Sequence, residues 1–114
     1  FMFITVTSLR LRKLRHYFVM SYWAMFITLQ MRKQKGFIKL KNTGFGYLHW
    51  TLSVWENGED LRNFARSGKH LEAMQRSGEI AVEICTYTFQ SEQIPDWKEA
   101  KRLLSEKGKT VSFP

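Results

Sequence analysis

Two rows of large side chains alternate through Tyr47 to Trp55: Tyr47/His49/Thr51/Ser53/Trp55 on one side and Leu48/Trp50/Leu52/Val54 on the other, with no charge in either. β-Branched and aromatic residues at period two predict a strand covered on both faces. Phe1 to Ser8 alternates in the same way and reads as a first, central strand. From about Lys13 to Lys35 there is no Gly or Pro, and a long helix is expected, with the stripe Tyr17/Met20/Ala24/Ile27/Met31 turned to a sheet. Phe18, Tyr22, Met25 and Leu29 lie on another side of that helix, so a second surface is expected to cover it. Phe37 to Lys41 alternates apolar with basic residues, and Asn42, Thr43 and Gly44 are expected to turn the chain into the Tyr47–Trp55 strand.

Beyond Trp55, Asn57 is placed to cap a helix with Asp60 in its first turn, and Leu61, Phe64 and Ala65 form its apolar stripe. Gly68 interrupts this helix, which resumes over Lys69 to Arg76 with Leu71 and Met74 inward until Gly78 ends it. Glu79 to Phe89 is a fourth strand. Asp96 and Glu99 form a capping box for a helix from Trp97 to Glu106, ahead of Gly108 and a loose end. The order β-α-β-β-α-β is that of an α+β, ferredoxin-like sheet with its helices on one face. The expected organisation is one domain over residues 1–114, with 92–114 as a C-terminal helical extension.

Composition adds bounds to this picture. A chain of 114 residues with 44% hydrophobic and 15% aromatic content is long enough to bury a core without a staple. The lone Cys85 forms no internal disulfide, and nothing points to an oxidising compartment. A net charge of +8 and a pI near 9.9 suit anionic partners, although solubility alone also explains such a balance. Phe1 precedes Met2 with no small-residue cleavage site after it, as expected of a trimmed start rather than a signal peptide. A cytoplasmic location follows as the expectation. The uncharged run Tyr17 to Met31 is too short to span a bilayer, but its basic flanks and Tyr17, Tyr22 and Trp23 are compatible with peripheral membrane contact.

Gly44-Phe45-Gly46-Tyr47-Leu48-His49-Trp50 resembles the glycine-aromatic pattern of RNA-recognition motifs. Thr43 stands where a basic residue is expected, the first strand lacks the expected asparagine, and nucleic acid is not the expected partner. A second resemblance covers nearly the whole chain. The segments SVWEN (53–57), DLRNFARSGKHLEAM (60–74), TSLRLRKLR (7–15) and IPDWKEAKRL (94–103) resemble uncharacterised bacterial members of the dimeric α/β-barrel superfamily. That superfamily includes antibiotic-biosynthesis and heme-degrading monooxygenases, and GFIKLKNTG (36–44) is loosely similar to spheroidene-monooxygenase-like proteins. The resemblance implies a dimeric α/β barrel and a pocket between sheet and helices.

It also bears on chemistry. The positions that heme-degrading relatives fill with asparagine, tryptophan and histidine fall here on Thr7, Phe64 and Met74, and none matches. Loss of heme-degrading activity is therefore expected. No cofactor is required by the sequence, and heme is compatible with the apolar walls, with His70 one helical turn before Met74. No nucleophile motif, metal-spaced Cys/His pair or phosphate loop is present. His16 and His49 are weaker candidates than His70.

The leading expectation is a monooxygenase-like protein that binds an apolar aromatic or polyene molecule. Thr5, Thr7, Trp23, Phe26, Trp50, Phe64 and Met74 are its candidate lining, with His70 as catalytic residue. The alternatives are a non-catalytic small-molecule-binding or stress-response domain and, behind it, an RNA-binding domain. A homodimer is expected through the open sheet face, where Phe37 or Trp50 would otherwise present an apolar patch.

Overall fold

A computed structural model describes residues 1–114, the side chain of Lys69 excepted. In chain order the elements are β1 (Met2–Leu11), α1 (His16–Lys33), β2 (Phe37–Phe45), β3 (Leu48–Trp55), α2 (Gly58–Ala65) and α3 (Gly68–Arg76). A 3-10 turn (Ser77–Glu79) then leads to β4 (Ala81–Ser91), α4 (Trp97–Lys107) and β5 (Lys109–Ser112). The strands form one antiparallel sheet in the order β2-β3-β1-β4-β5. Its first four strands have the ferredoxin-like arrangement expected from the order of elements.

Each strand gives alternate residues to the two sides of the sheet. On the far side Ile4, Val6, Leu52 and Val54 are fully buried beneath Ala100 and Leu104 of α4. On the near side Trp55 packs with Met31 of α1 and Phe64 of α2, joined by Phe3, Ile27 and Leu40. Asn57 Oδ1 accepts from the Asp60 backbone N–H at 2.8 Å, and Asp96 Oδ1 from that of Glu99 at 2.9 Å, which fixes the starts of α2 and α4 as their sequences require.

Several expectations are corrected. β1 continues through Leu9, Arg10 and Leu11, because its ladder runs on to Leu48 of β3 and Leu11 is buried at its end. The β2–β3 turn is Gly46-Tyr47, with Gly46 at φ 68°, rather than Asn42 to Gly44, which pair with β3. The glycine-aromatic run is thereby split across a hairpin, and Phe45 projects into solvent at 94% exposure. In α1 the partly buried stripe is Met20/Trp23/Ile27/Gln30/Met31, while Tyr17 and Ala24 are exposed. In α3 the inward positions are His70 and Ala73, followed by Ser77 of the 3-10 turn, while Leu71 and Met74 face solvent. The end of the chain is not loose: β5 pairs with β4 from Glu83 to Thr86.

The open sheet face is also corrected. Helix α4 stands on it, Trp50 lies half-buried there with Lys101 Nζ 3.9 Å from its ring centre, and Phe37 belongs to the opposite, helix-covered side. Among the described residues, no helix is long and apolar enough to cross a membrane.

Candidate functional site

The near side of the sheet departs from ordinary core composition. Past Trp55, β3 turns Ser53 and Thr51 toward the helices, β1 turns Thr5 and Thr7, and β4 turns Thr88 and Thr86. The registers Ser53–Thr5–Thr88 and Thr51–Thr7–Thr86 set these six hydroxyls in two rows of three across neighbouring strands. The rows lie about 7 Å apart, the repeat of two strand residues. Thr5 Oγ1 and Thr88 Oγ1 are hydrogen-bonded at 2.9 Å. Thr5, Thr7, Thr51 and Thr86 retain partial solvent access and Thr88 is exposed, although α1, α2 and α3 stand on this side, so solvent reaches the hydroxyl rows. Three consecutive strand partners each carry a hydroxyl-x-hydroxyl sequence, Thr5-Val6-Thr7, Thr51-Leu52-Ser53 and Thr86-Tyr87-Thr88. That signal was open to sequence reading, which used only Thr5 and Thr7.

An aromatic stack closes one end of the floor. Trp55 and Phe64 have ring centres 5.1 Å apart, and Phe64 and His70 4.8 Å apart. The Trp55 Nε1–H is buried without a hydrogen-bond partner among the described residues, a donor that proteins rarely leave unmet.

His70 is held by its backbone and its ring. Gln30 of α1 donates from Nε2 to the Ser67 carbonyl at 2.9 Å and accepts at Oε1 from the His70 backbone N–H at 3.1 Å. Gln30 thus satisfies both sides of the α2–α3 junction, and there Gly68 has φ 58°. That left-handed backbone is what favours glycine there; a Cβ would also meet Gln30 Oε1 at 2.9 Å and displace the end of that side chain from its bonds. His70 Nδ1 lies 3.0 Å from the Ala65 carbonyl, which can only accept; Nδ1 therefore carries the proton and, in the neutral ring, Nε2 is the lone-pair nitrogen. Burial pushes the His70 pKa below the usual histidine value, and the Ala65 hydrogen bond opposes that push more weakly. The result is an imidazole kept neutral with one basic nitrogen.

The remaining candidates divide. Trp23 is half-buried on α1 with the Arg76 guanidinium of α3 5.3 Å from its ring centre. Phe26, also half-buried, follows at helical spacing and packs edge-to-face with Tyr22 at 5.0 Å. The ring contact of Phe26 with Tyr22 is on the outer part of α1, whereas Thr5, Thr7, Trp23, Phe64 and His70 belong to the helix-covered side. Trp50 does not, since it points through the sheet to α4. Met74 does not either, at 55% exposure. These positions do not fit the heme site of the degrading relatives: Met74 is at the surface, and Phe64 is locked between Trp55 and His70.

Residues 26–112 match the family described as Domain of unknown function (DUF3291). The chain belongs to the DUF3291 family. No protein with a curated description matches it in sequence. Among solved structures, this DUF3291 chain is similar to SnoaB, a cofactor-independent oxygenase from Streptomyces nogalater, at TM-score 0.68 and 12% identity, over 83% of this chain and 98% of that one. It is similar to Rv0793 from Mycobacterium tuberculosis at TM-score 0.74 and 9% identity, over 84% and 100% of the two chains. A putative antibiotic biosynthesis monooxygenase from Nitrosomonas europaea superposes at TM-score 0.72 and 8% identity, over 83% and 94%. At such identities the likeness is one of fold, and it places this DUF3291 member within the antibiotic-biosynthesis-monooxygenase-like architecture.

Proposed function

We propose that this DUF3291 protein binds an aromatic or polyene small molecule in the cleft between its sheet and helices α1–α3, as a monooxygenase-like protein. The observation that carries this reading is the floor of six hydroxyls beside the Trp55–Phe64–His70 stack. A sheet face that served packing alone would carry apolar side chains there, as the far face of the same strands does. Rings supply flat apolar walls and hydroxyls orient a ligand's oxygens, the usual composition of a small-molecule site. Within that site His70 is the residue suited to take a proton from a bound phenol or enol, because its neutral ring offers Nε2. No cofactor is needed for the binding reading.

The test is a thermal-shift screen with quinones, anthrones and carotenoids against single-stranded RNA. A ligand at one hundred times its Kd should stabilise the protein by about 2.7 kcal/mol. The double substitution Thr7→Val with Thr51→Val should abolish the shift without lowering the unliganded melting temperature. Stabilisation by RNA alone, lost with salt, overturns the reading. Oxygen uptake with the stabilising compound, lost in His70→Gln, marks the catalytic form; stabilisation without uptake marks a non-catalytic binding domain.

The proposal includes a cytoplasmic homodimer. Its support is narrower than an open sheet: Tyr87 and Phe89, stacked at 5.4 Å, stay half-exposed on the far side of β4. Light scattering at micromolar concentration should return twice the 13.6 kDa chain mass. A concentration-independent monomer overturns it.

A further inference from the structure

From α1 and the hairpin tip beside it, we infer a docking surface for an anionic phospholipid bilayer. The inference is independent of the ligand-binding reading, because it uses the opposite side of α1. Phe18, Tyr22, Met25 and Leu29 form a continuous outward stripe, exposed by 75%, 60%, 53% and 49%. At the N-terminal end of α1 this stripe continues into a depression of about 340 Å³ lined by Leu14, Tyr17, Phe18 and Phe45. Phe45, at 94% exposure, is the most prominent apolar group of the tip. Exposed apolar surface of this extent marks an interaction site.

The charges around it select the partner. Arg10, Lys13 and Arg15 are exposed at one end of the stripe and Arg32, Lys33 and Lys35 at the other, while Tyr17 to Met31 carries no charge. Residues 1–55 contain nine Lys and Arg and no Asp or Glu; all ten acidic residues come later, among nine further basic ones. The net charge of the protein therefore resides in the half that bears the apolar stripe. A helix of 18 residues with an apolar outer side, a tyrosine at headgroup depth and basic ends is built to lie in a membrane interface rather than to cross it. A second copy is the poorer fit. The stripe extends at the same 3-4-3 spacing to Arg15 and Arg32, so helix pairing in either direction would set arginine against arginine. On phosphatidylserine the same arginines meet opposite charge, each worth about a five-fold gain in binding.

The test is co-sedimentation of the full chain with phosphatidylcholine vesicles, with and without phosphatidylserine, at physiological salt. Binding should appear with phosphatidylserine and fall at least about ten-fold without it. Phe18→Ser combined with Phe45→Ser should weaken binding by about ten-fold or more while leaving the circular dichroism unchanged, since both side chains are exposed. Phe45→Ser alone, at the tip, serves if the double variant folds poorly. Three outcomes overturn the inference: no binding to phosphatidylserine vesicles, binding that the Phe substitutions leave intact, or self-association of the wild type that Phe18→Ser with Leu29→Ser abolishes.

Discussion

The two sides of one sheet follow opposite rules, although they are made of alternate residues of the same strands. On the far side Ile4, Val6, Leu52 and Val54 are sealed from water by α4. On the near side, one residue along each time, Thr5, Thr7 and Thr51 stay partly solvated, and of the four hydroxyls of β1 and β3 only Ser53 is buried. The difference teaches where stability and chemistry are kept. Dry aliphatic packing holds the sheet together, and that frees the other face to carry groups that contribute little to folding.

The largest effect that would break this division is on the far side. Leu52→Ala should cost about 2–5 kcal/mol in urea unfolding, whereas Thr51→Val, its chain neighbour, should stay within about 0.5 kcal/mol of wild type. Equal losses at the two positions would mean that both faces are structural.

Next comes Gln30, the tie between α1 and the α2–α3 junction. Gln30→Leu removes the partner of the exposed Ser67 carbonyl and of the His70 N–H, at a cost of about 0.5–1.5 kcal/mol. Amide exchange should rise at His70 and its neighbours while β1 keeps its protection, which would sharpen the division between a rigid sheet and a separately held helical cover.

The smallest effect concerns pH. The unfolded His70 titrates near the ordinary value and the folded one lower, so above about pH 7 both states are neutral and no stability is at stake. As pH falls through the unfolded value, the unfolded chain takes up the proton more readily and the fold loses stability. The melting temperature should therefore drop between about pH 7.5 and about pH 5.5, and His70→Gln should flatten that slope. An unchanged slope would show that His70 does not share the burial of Phe64 beside it.

How far the chain could be read from its letters depended on whether a pattern had one answer. The order of the elements, the Asn57 and Asp96 caps and the span of α4 along the chain were legible, because period-two alternation and capping chemistry are local; the sheet face that α4 covers was not. Helix α1 is apolar nearly all round, so 3.6-residue spacing allowed several stripes, and the real one, through Trp23 and Gln30, was not singled out. Helix α3 misled for the opposite reason: its apolar Leu71 and Met74 face water, and its inward positions are Ala73 and His70, the latter tied to Gln30. β5 is four residues long and gains its place only from β4. The hydroxyl floor was written in three strands separately, and registers were needed to join them. Trp50, five residues from Trp55, lies on the opposite face, as period-two alternation requires, which suits the open-face expectation and not the pocket lining.

The central position of β1 has a kinetic consequence. β1 is synthesised before both of its neighbours, β3 and β4, and its Met2 lies against Ser91 near the end of β4. Until β4 is available one edge of β1 stays unpaired, and the apolar α1 follows it directly in the chain. A sheet closed by so distant a pairing folds on the slow side for its length, in roughly milliseconds to seconds, and the β1–α1 segment is the part that a chaperone would have to shield during synthesis.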